Sequence, residues 1–239
     1  MKTVVISQPT YLPWLGYFRV MKEADTYVFL DRVQYEKRSW QCRNQIKSPE
    51  NRQWLTVPTC HKTWLSLEDV RLDNSKQWKR QHLSALRTCY GKAPFFGTYF
   101  PFFKSLYEKR WVKLASLNCF TIEFLAAQLG LSPVFLRSSQ LRAEGKRTKL
   151  LLNICKRLKA TRYVSSIGAK EYMRNDGAEE LFRREGIDVE FLEYKHPEYP
   201  QLFGKFISNQ SIVDCLFNCG PKSADIAFGE ETATFSGFT

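Results

Sequence analysis

Apolar positions along this chain follow two rhythms. Short unbroken runs at residues 4–6, 27–30, 134–136, 162–165 and 189–192 have the length and the β-branched or aromatic content of buried strands. Between them the spacing turns helical. Residues 14–22, 148–158, 178–185 (stopped by Gly186) and 211–217 (followed by Gly220-Pro221) each predict a helix. Strand, turn, helix, strand is how a parallel βαβ unit opens. The pattern therefore predicts an α/β fold: a Rossmann-like doubly wound, mostly parallel sheet with a small β insertion and a helical insertion.

The β-rich insertion covers residues 38–72, with short strands expected at 54–57 and 68–72. The helical insertion covers 74–131. Asn74 or Ser75 caps a helix running to about Tyr90, Pro94 and Pro101 punctuate the aromatic stretch 95–103, and Leu114, Leu117, Phe120, Phe124 and Leu125 form a core stripe closed by Gly130. Residues 1–228 read as one domain, and the small polar residues 229–239 as a flexible tail.

Composition narrows the class. With 239 residues, 44% apolar and 15% aromatic, the chain is globular rather than disordered. No repeat period is present. The seven cysteines are scattered without a C-x-x-C pair, which disfavours a disulfide framework or a zinc knuckle, and three histidines give no metal-ligand spacing. Cys42 stands beside Arg43, which favours its thiolate, while burial would leave it inert. The most apolar helical stretch, 114–131, contains Asn118, Glu123 and Gln128, so no stable membrane insertion is expected, and a short apolar opening suits a cytoplasmic protein.

Charge changes the picture most. The formal net charge is +12. Residues 1–120 hold 20 Lys and Arg against 9 Asp and Glu, whereas residues 121–239 hold 16 against 15. A field so segregated attracts nucleic acid, nucleotide phosphates or an anionic membrane surface, the alternative being a basic solubilising surface. The excess is expected beside the ends of the first two strands.

Four segments carry candidate chemistry. After the first strand, Gln8, Tyr11, Trp14 and Tyr17 lie in a proline-rigid turn before a helix. That turn either presents hydrogen bonds and helix N–H groups to an anion or merely packs. After the second strand, residues 31–47 interleave cations with amides and aromatics. Gln34, Lys37, Arg38, Trp40 and Arg43 are candidate ligands for a phosphate and a stacked ring, and Asp31 and Asn44 are candidate catalytic groups; the alternative is a solvated face. After the last strand, His196 is the best-placed general base of the three histidines, with Tyr199 and Gln201 beside it. His61 falls in a polar loop and His82 within a helix. Finally, Ser211 and Asp214 look like a capping pair, with Asn218 one turn further on the Asp214 face.

These segments carry a resemblance. Gln8-Pro9 through Gly16-Tyr17-Phe18, Asp31 with Val33-Gln34-Tyr35, Trp40 with Arg43-Asn44, Tyr199-Pro200-Gln201, and Ser211-Ile212-Val213-Asp214 through Cys219-Gly220 resemble, in order, the WbqC-like family over residues 3–226. Cys42 stands where the family often has Asn, and Ser165-Ser166 where Ser-Gly is usual. The resemblance implies a role in O-antigen or other surface-glycan biosynthesis. It points to a transferase forming an amide bond, by acyl or aminoacyl transfer, on the amino group of a nucleotide-linked amino sugar. His196 or Asp31 would take the amine proton, and Asn44 would stabilise the oxyanion. The implied partners are that sugar and an acyl donor, tRNA-borne or otherwise; no cofactor is required by the residues, and ATP use stays open.

The layout also resembles the opening of HIGH-type nucleotidyltransferases and ligases, whose paired histidines are absent here. An ATP-dependent ligase or nucleotidyltransferase with such a HIGH-type Rossmann-like fold and a non-enzymatic RNA-binding module are the alternatives.

Overall fold

The computed structural model describes residues 1–60 and 64–238. The elements follow in chain order as β1 (Thr3–Ser7), α1 (Leu15–Met21), β2 (Thr26–Phe29), β3 (Arg43–Lys47), β4 (Arg52–Thr56), α2 (Trp78–Tyr90), α3 (Phe96–Glu108) and α4 (Leu114–Gln128). The second half continues with β5 (Val134–Arg137), α5 (Ser138–Leu141), α6 (Arg147–Arg157), β6 (Arg162–Ser166), α7 (Lys170–Asn175), α8 (Ala178–Arg184), β7 (Asp188–Tyr194), α9 (Ile212–Cys219), α10 (Ser223–Phe228) and β8 (Ala233–Ser236).

The five apolar runs become five parallel strands of a six-stranded sheet, ordered β5-β2-β1-β6-β7-β8. The inner strands β1, β2 and β6 read as unbroken apolar runs because both faces are covered. Val5, Tyr27, Phe29 and Leu192 turn to one face, against α1, α4 and α9. Val4, Ile6, Val28 and Phe191 turn to the other, against α6, α7 and α8. Strand order reverses beside β1: β2 and β5 extend one way, β6 and β7 the other. Crevices beyond the carboxyl ends of strands at such a reversal are where α/β sheets bind ligands.

Several expectations need correction. The tail is not loose: residues 233–236 pair antiparallel with β7, and Phe238 is buried against Phe191. Its short apolar content was masked by small polar neighbours, yet the open edge of β7 supplies a ladder for it. Residues 68–72 do not form a strand; a 3-10 turn at Leu67–Asp69 is followed by single bridges from Arg71 and Leu72. Asn74 and Ser75 do not cap α2, since Ser75 turns back to Asp73 through both its N–H and its hydroxyl. Pro101 does not break the aromatic stretch but sits inside α3. Burial of Tyr99, Phe103, Leu106 and Tyr107 at helical spacing outweighs a loss that usually costs about 3 kcal/mol. Phe120 lies on the outer side of α4, where it packs on Trp111. Ser166, in place of a glycine, has φ −70°, a conformation open to any residue.

Ser211 does cap α9, accepting from the Val213 N–H. At the far end Gly220 has φ 58° and ψ −134°, and a Cβ there would fall 2.4 Å from the Phe95 ring. Gly220→Ala is therefore expected to lower unfolding free energy by about 2 kcal/mol, measured by urea denaturation. Among the described residues, no helix is long and apolar enough to cross a membrane. All seven cysteines are free, and only Cys60 is exposed.

Candidate functional site: an aromatic cleft beside β1

The chain leaving β1 is locked by amides. Asn118 donates to the carbonyls of Pro9 and Gln41, Asn44 donates to the carbonyl of Leu12 at 2.6 Å, and Gln41 donates to the Gln8 side chain at 2.8 Å. The Tyr11 N–H meets the Trp40 carbonyl, and the Ile212 N–H meets that of Pro13. Three distant segments are thus stitched around one turn: residues 8–14, residues 40–45 and the start of α9.

The stitching frames a cleft of about 450 Å³ lined by Thr10, Pro13, Trp14, Tyr17, Trp40, Asn44 and Asn209. Gly16 shapes one wall. A Cβ there would lie 2.5 Å from the Trp14 ring and 2.8 Å from Tyr194, so only glycine lets these aromatics close over α1. Its lining residues include no carboxylate and no cation; they offer aromatic faces, a threonine hydroxyl, the Tyr17 phenol and two amides. Such a surface suits a ring stacked between aromatics and oriented by a few neutral hydrogen bonds.

Behind Trp14 stands His196, its ring nearly parallel to the indole with centroids 6.1 Å apart. Nδ1 donates to the Pro197 carbonyl at 2.9 Å, which leaves Nε2 as the lone-pair nitrogen, buried and without a partner. Burial lowers its pKa below the usual histidine value, only partly opposed by that hydrogen bond. Burial thus favours the neutral imidazole of His196, whose Nε2 lies without a partner one aromatic layer from the cleft.

The other expected site residues divide clearly. Trp14, Tyr17, Trp40 and Asn44 line the cleft together, and Gln8 adjoins it, its carbonyl accepting from Tyr17. Arg43 lies over Trp54 at 4.1 Å, and Trp54 in turn packs on Trp40. Lys37 and Arg38 are exposed on the adjoining loop. Asn44 has one amide N–H committed to Leu12 while its oxygen accepts from the Gln45 N–H.

The remainder are placed elsewhere. Asp31 is 1% exposed and fully engaged by Ser138 and Ser139, so it has no free oxygen for a substrate proton. Tyr11 is wholly buried with His82 and Tyr107. Asp214 is wholly buried and accepts from Tyr90 at 2.7 Å rather than completing a capping box. Desolvation raises its pKa, opposed by Tyr90, Tyr199, Gln201 and the Lys47 ammonium. Asn218 shares its helix face and donates to its carbonyl. Tyr199 is buried, and Gln201 closes a loop through two hydrogen bonds with Ile207. Gln34 lies in a shallow depression with Arg32 and Trp64. His61 falls outside the described residues.

Sequence reasoning overlooked Asn209, Gln41 and Trp54. Asn209 has φ 60°, a conformation asparagine tolerates, and the Ser-Asn-Gln run before the Ser211 cap was the available signal. The charge is also differently placed. Residues 71–113 hold ten Lys and Arg against two acids, more than the segment 31–47 at the strand ends.

The family model for the WbqC-like protein family matches residues 8–226. The chain belongs to this family. A relative from Mycobacterium tuberculosis, the uncharacterized protein Rv1507c, is 32% identical over 229 residues, covering 94% of this chain and 97% of that one. No solved structure matches. In this WbqC-like protein the matched region contains the whole cleft, from Thr10 to Asn209. Among the described residues, no group of three or more His, Cys, Asp or Glu side chains is placed to hold a metal ion.

Proposed function

We propose that this WbqC-like protein is a transferase that acylates the amino group of a nucleotide-linked amino sugar, on a Rossmann-like doubly wound sheet. The observation that carries the reading is the aromatic cleft at the β1 end, with the His196 ring stacked behind its Trp14 wall. The strand order, with helices on both faces, supports the sheet assignment.

In this reading the sugar ring stacks between Trp14 and Trp40, and Asn44 and Asn209 orient its polar groups. The amine nitrogen attacks the donor carbonyl, so a C–N bond forms while the bond from carbonyl carbon to the donor oxygen or sulfur breaks. The amine proton passes to His196 Nε2 once the Trp14 ring moves aside, and from there to the departing oxygen or sulfur. The second, uncommitted N–H of Asn44 supports the oxyanion. Asp31 has no part in it, because its oxygens are already engaged.

The test is incubation of purified protein with candidate amino-sugar nucleotides and thioester, adenylate or RNA-linked acyl donors, with mass spectrometry of the sugar. The expected product carries one added acyl group. Trp14→Ala is expected to lower kcat/KM by about tenfold or more, and His196→Ala to flatten the acid limb of the pH profile. Full activity in both variants, or no acylated sugar with any pair, overturns the reading.

A further inference from the structure

The basic excess lies on the helical insertion, outside the cleft. Among the described residues, Arg71, Arg80 and Arg110 make no ion pair, so their charge faces solvent. Two adjoining grooves open at the start of α2. One, of about 440 Å³, is lined by Thr56, Pro58, Lys76, Gln77 and Trp78; the other, of about 410 Å³, brings in Lys79, Arg80 and Arg110. Trp78, 2% exposed, lines both, and its indole N–H has no acceptor in the protein. Free N–H groups at the start of a 13-residue helix add to the same positive corner.

This corner is joined to the cleft. Trp54 and Thr56 occupy the same outward face of β4, two residues apart, opposite Arg43 and Gln45 of β3. Trp54 is 41% exposed, packs on Trp40 with ring centroids 5.5 Å apart and carries the Arg43 guanidinium on its other contacts. Trp40, 53% exposed, lines the cleft. A path therefore runs from the cleft over two tryptophans and Arg43, past Thr56, into the cationic grooves.

We propose that this path binds a single-stranded nucleic acid, with a base packed against the exposed part of Trp54 and backbone phosphates held by Arg43, Arg80 and Arg110, while Trp40 stays with the cleft. Exposed aromatics alternating with cations along a concave track match a strand whose base faces are free. A lipid surface is flat and would not enter grooves at the foot of a helix. Binding stands apart from the reaction assigned to the cleft. It rests on that reading only for one consequence, that an RNA-borne acyl group would reach the cleft at Trp40.

The experiment is fluorescence anisotropy with a labelled single-stranded RNA of about 12 nucleotides, without acceptor or turnover, across a salt series. Arms with single-stranded DNA of the same sequence and with vesicles of anionic phospholipid run in parallel. Affinity for RNA is expected to fall steeply with salt. The double variant Arg80→Glu/Arg110→Glu is expected to bind about tenfold or more weakly, and Trp54→Ala about tenfold more weakly. The charge-matched control Lys149→Glu/Arg157→Glu, on α6 at the other face of the sheet, should bind as the parent does. Thermal melts establish that each variant is folded. Unchanged affinity in the groove variants overturns the proposal, as does groove-dependent binding of vesicles without nucleic-acid binding; equal groove-dependent binding of the DNA supports the same stacking and phosphate contacts. Failure of the acylation assay alone leaves the binding result intact.

Discussion

Asp31→Ala is expected to lower the free energy of unfolding by about 3 to 4 kcal/mol, measured by urea denaturation. The carboxylate sits where β2 ends. Oδ1 accepts from the Ser138 hydroxyl at 2.8 Å and the Ser139 N–H at 2.9 Å, and Oδ2 accepts from the Ser139 hydroxyl at 2.7 Å. Ser138 Oγ in turn accepts from the Asp31 and Arg32 N–H groups. The side chain thus ties the end of β2 to the start of α5 on the neighbouring β5, across 107 residues of sequence. Alanine leaves three donors without their acceptor, the Ser138 hydroxyl buried and the two Ser139 groups partly buried; a buried unpaired donor costs roughly 1 to 3 kcal/mol, and water can recover part of the Ser139 share. Asp31→Asn keeps one acceptor oxygen and is expected to lose about half as much. If Asp31→Ala melts like the parent but abolishes sugar acylation, the positioning role is wrong and a direct chemical role is restored.

The second large effect is an acid destabilisation centred on His82. Its ring is 4% exposed among Trp78, Tyr11 and Tyr107, with Nδ1 2.9 Å from the Tyr11 hydroxyl. Burial lowers its pKa to about 4, partly opposed by a hydrogen bond with the Thr56 backbone. In the unfolded chain the imidazole titrates near its ordinary value of about 6.5. Between those values the unfolded chain binds a proton that the folded protein refuses, so stability rises with pH. The contribution is complete above the unfolded pKa and is lost as pH falls toward the folded one. At about pH 5 the loss relative to neutral pH amounts to roughly 2 kcal/mol for this residue. His196, also lowered by burial, adds in the same direction. His82→Phe should flatten the slope of unfolding free energy against pH in this window, while Tyr11 keeps Tyr107 as its hydroxyl partner. An unchanged slope would show that His82 is protonated in the folded state.

The positions of these two residues show why local pattern and site chemistry separate. Their places after strand ends among polar residues mark Asp31 as a candidate catalytic group and Tyr11 as a candidate ligand. Their side chains turn inward for reasons the neighbouring sequence does not contain: Asp31 meets serines from α5, and Tyr11 meets His82 of α2 and Tyr107 of α3. Asp214 is similar, because Tyr90 from the end of α2 takes the carboxylate oxygen that a capping box would have used. The cleft residues Trp14, Tyr17 and Trp40 were legible because large aromatics beside prolines and amides are unusual at a strand end. Asn209 was not, since its place in the cleft depends on α9 docking beside the Trp14 turn.

By itself the sequence determined the five parallel strands, the Ser211 cap, the family and the aromatic character of the turn after β1. Those features depend on period, capping chemistry and residue type within a few positions of one another. Only the tertiary structure decided that β8 closes the sheet edge, that α3 continues through Pro101, and that Asp31 and Tyr11 are interior. It also decided that the cations of α2 and its flanks lie on a track reaching Trp40. Each of these outcomes is set by what a distant segment offers: an unpaired strand edge, a hydrophobic groove, an acceptor for a buried donor. Such offers exist only once the chain has folded back on itself.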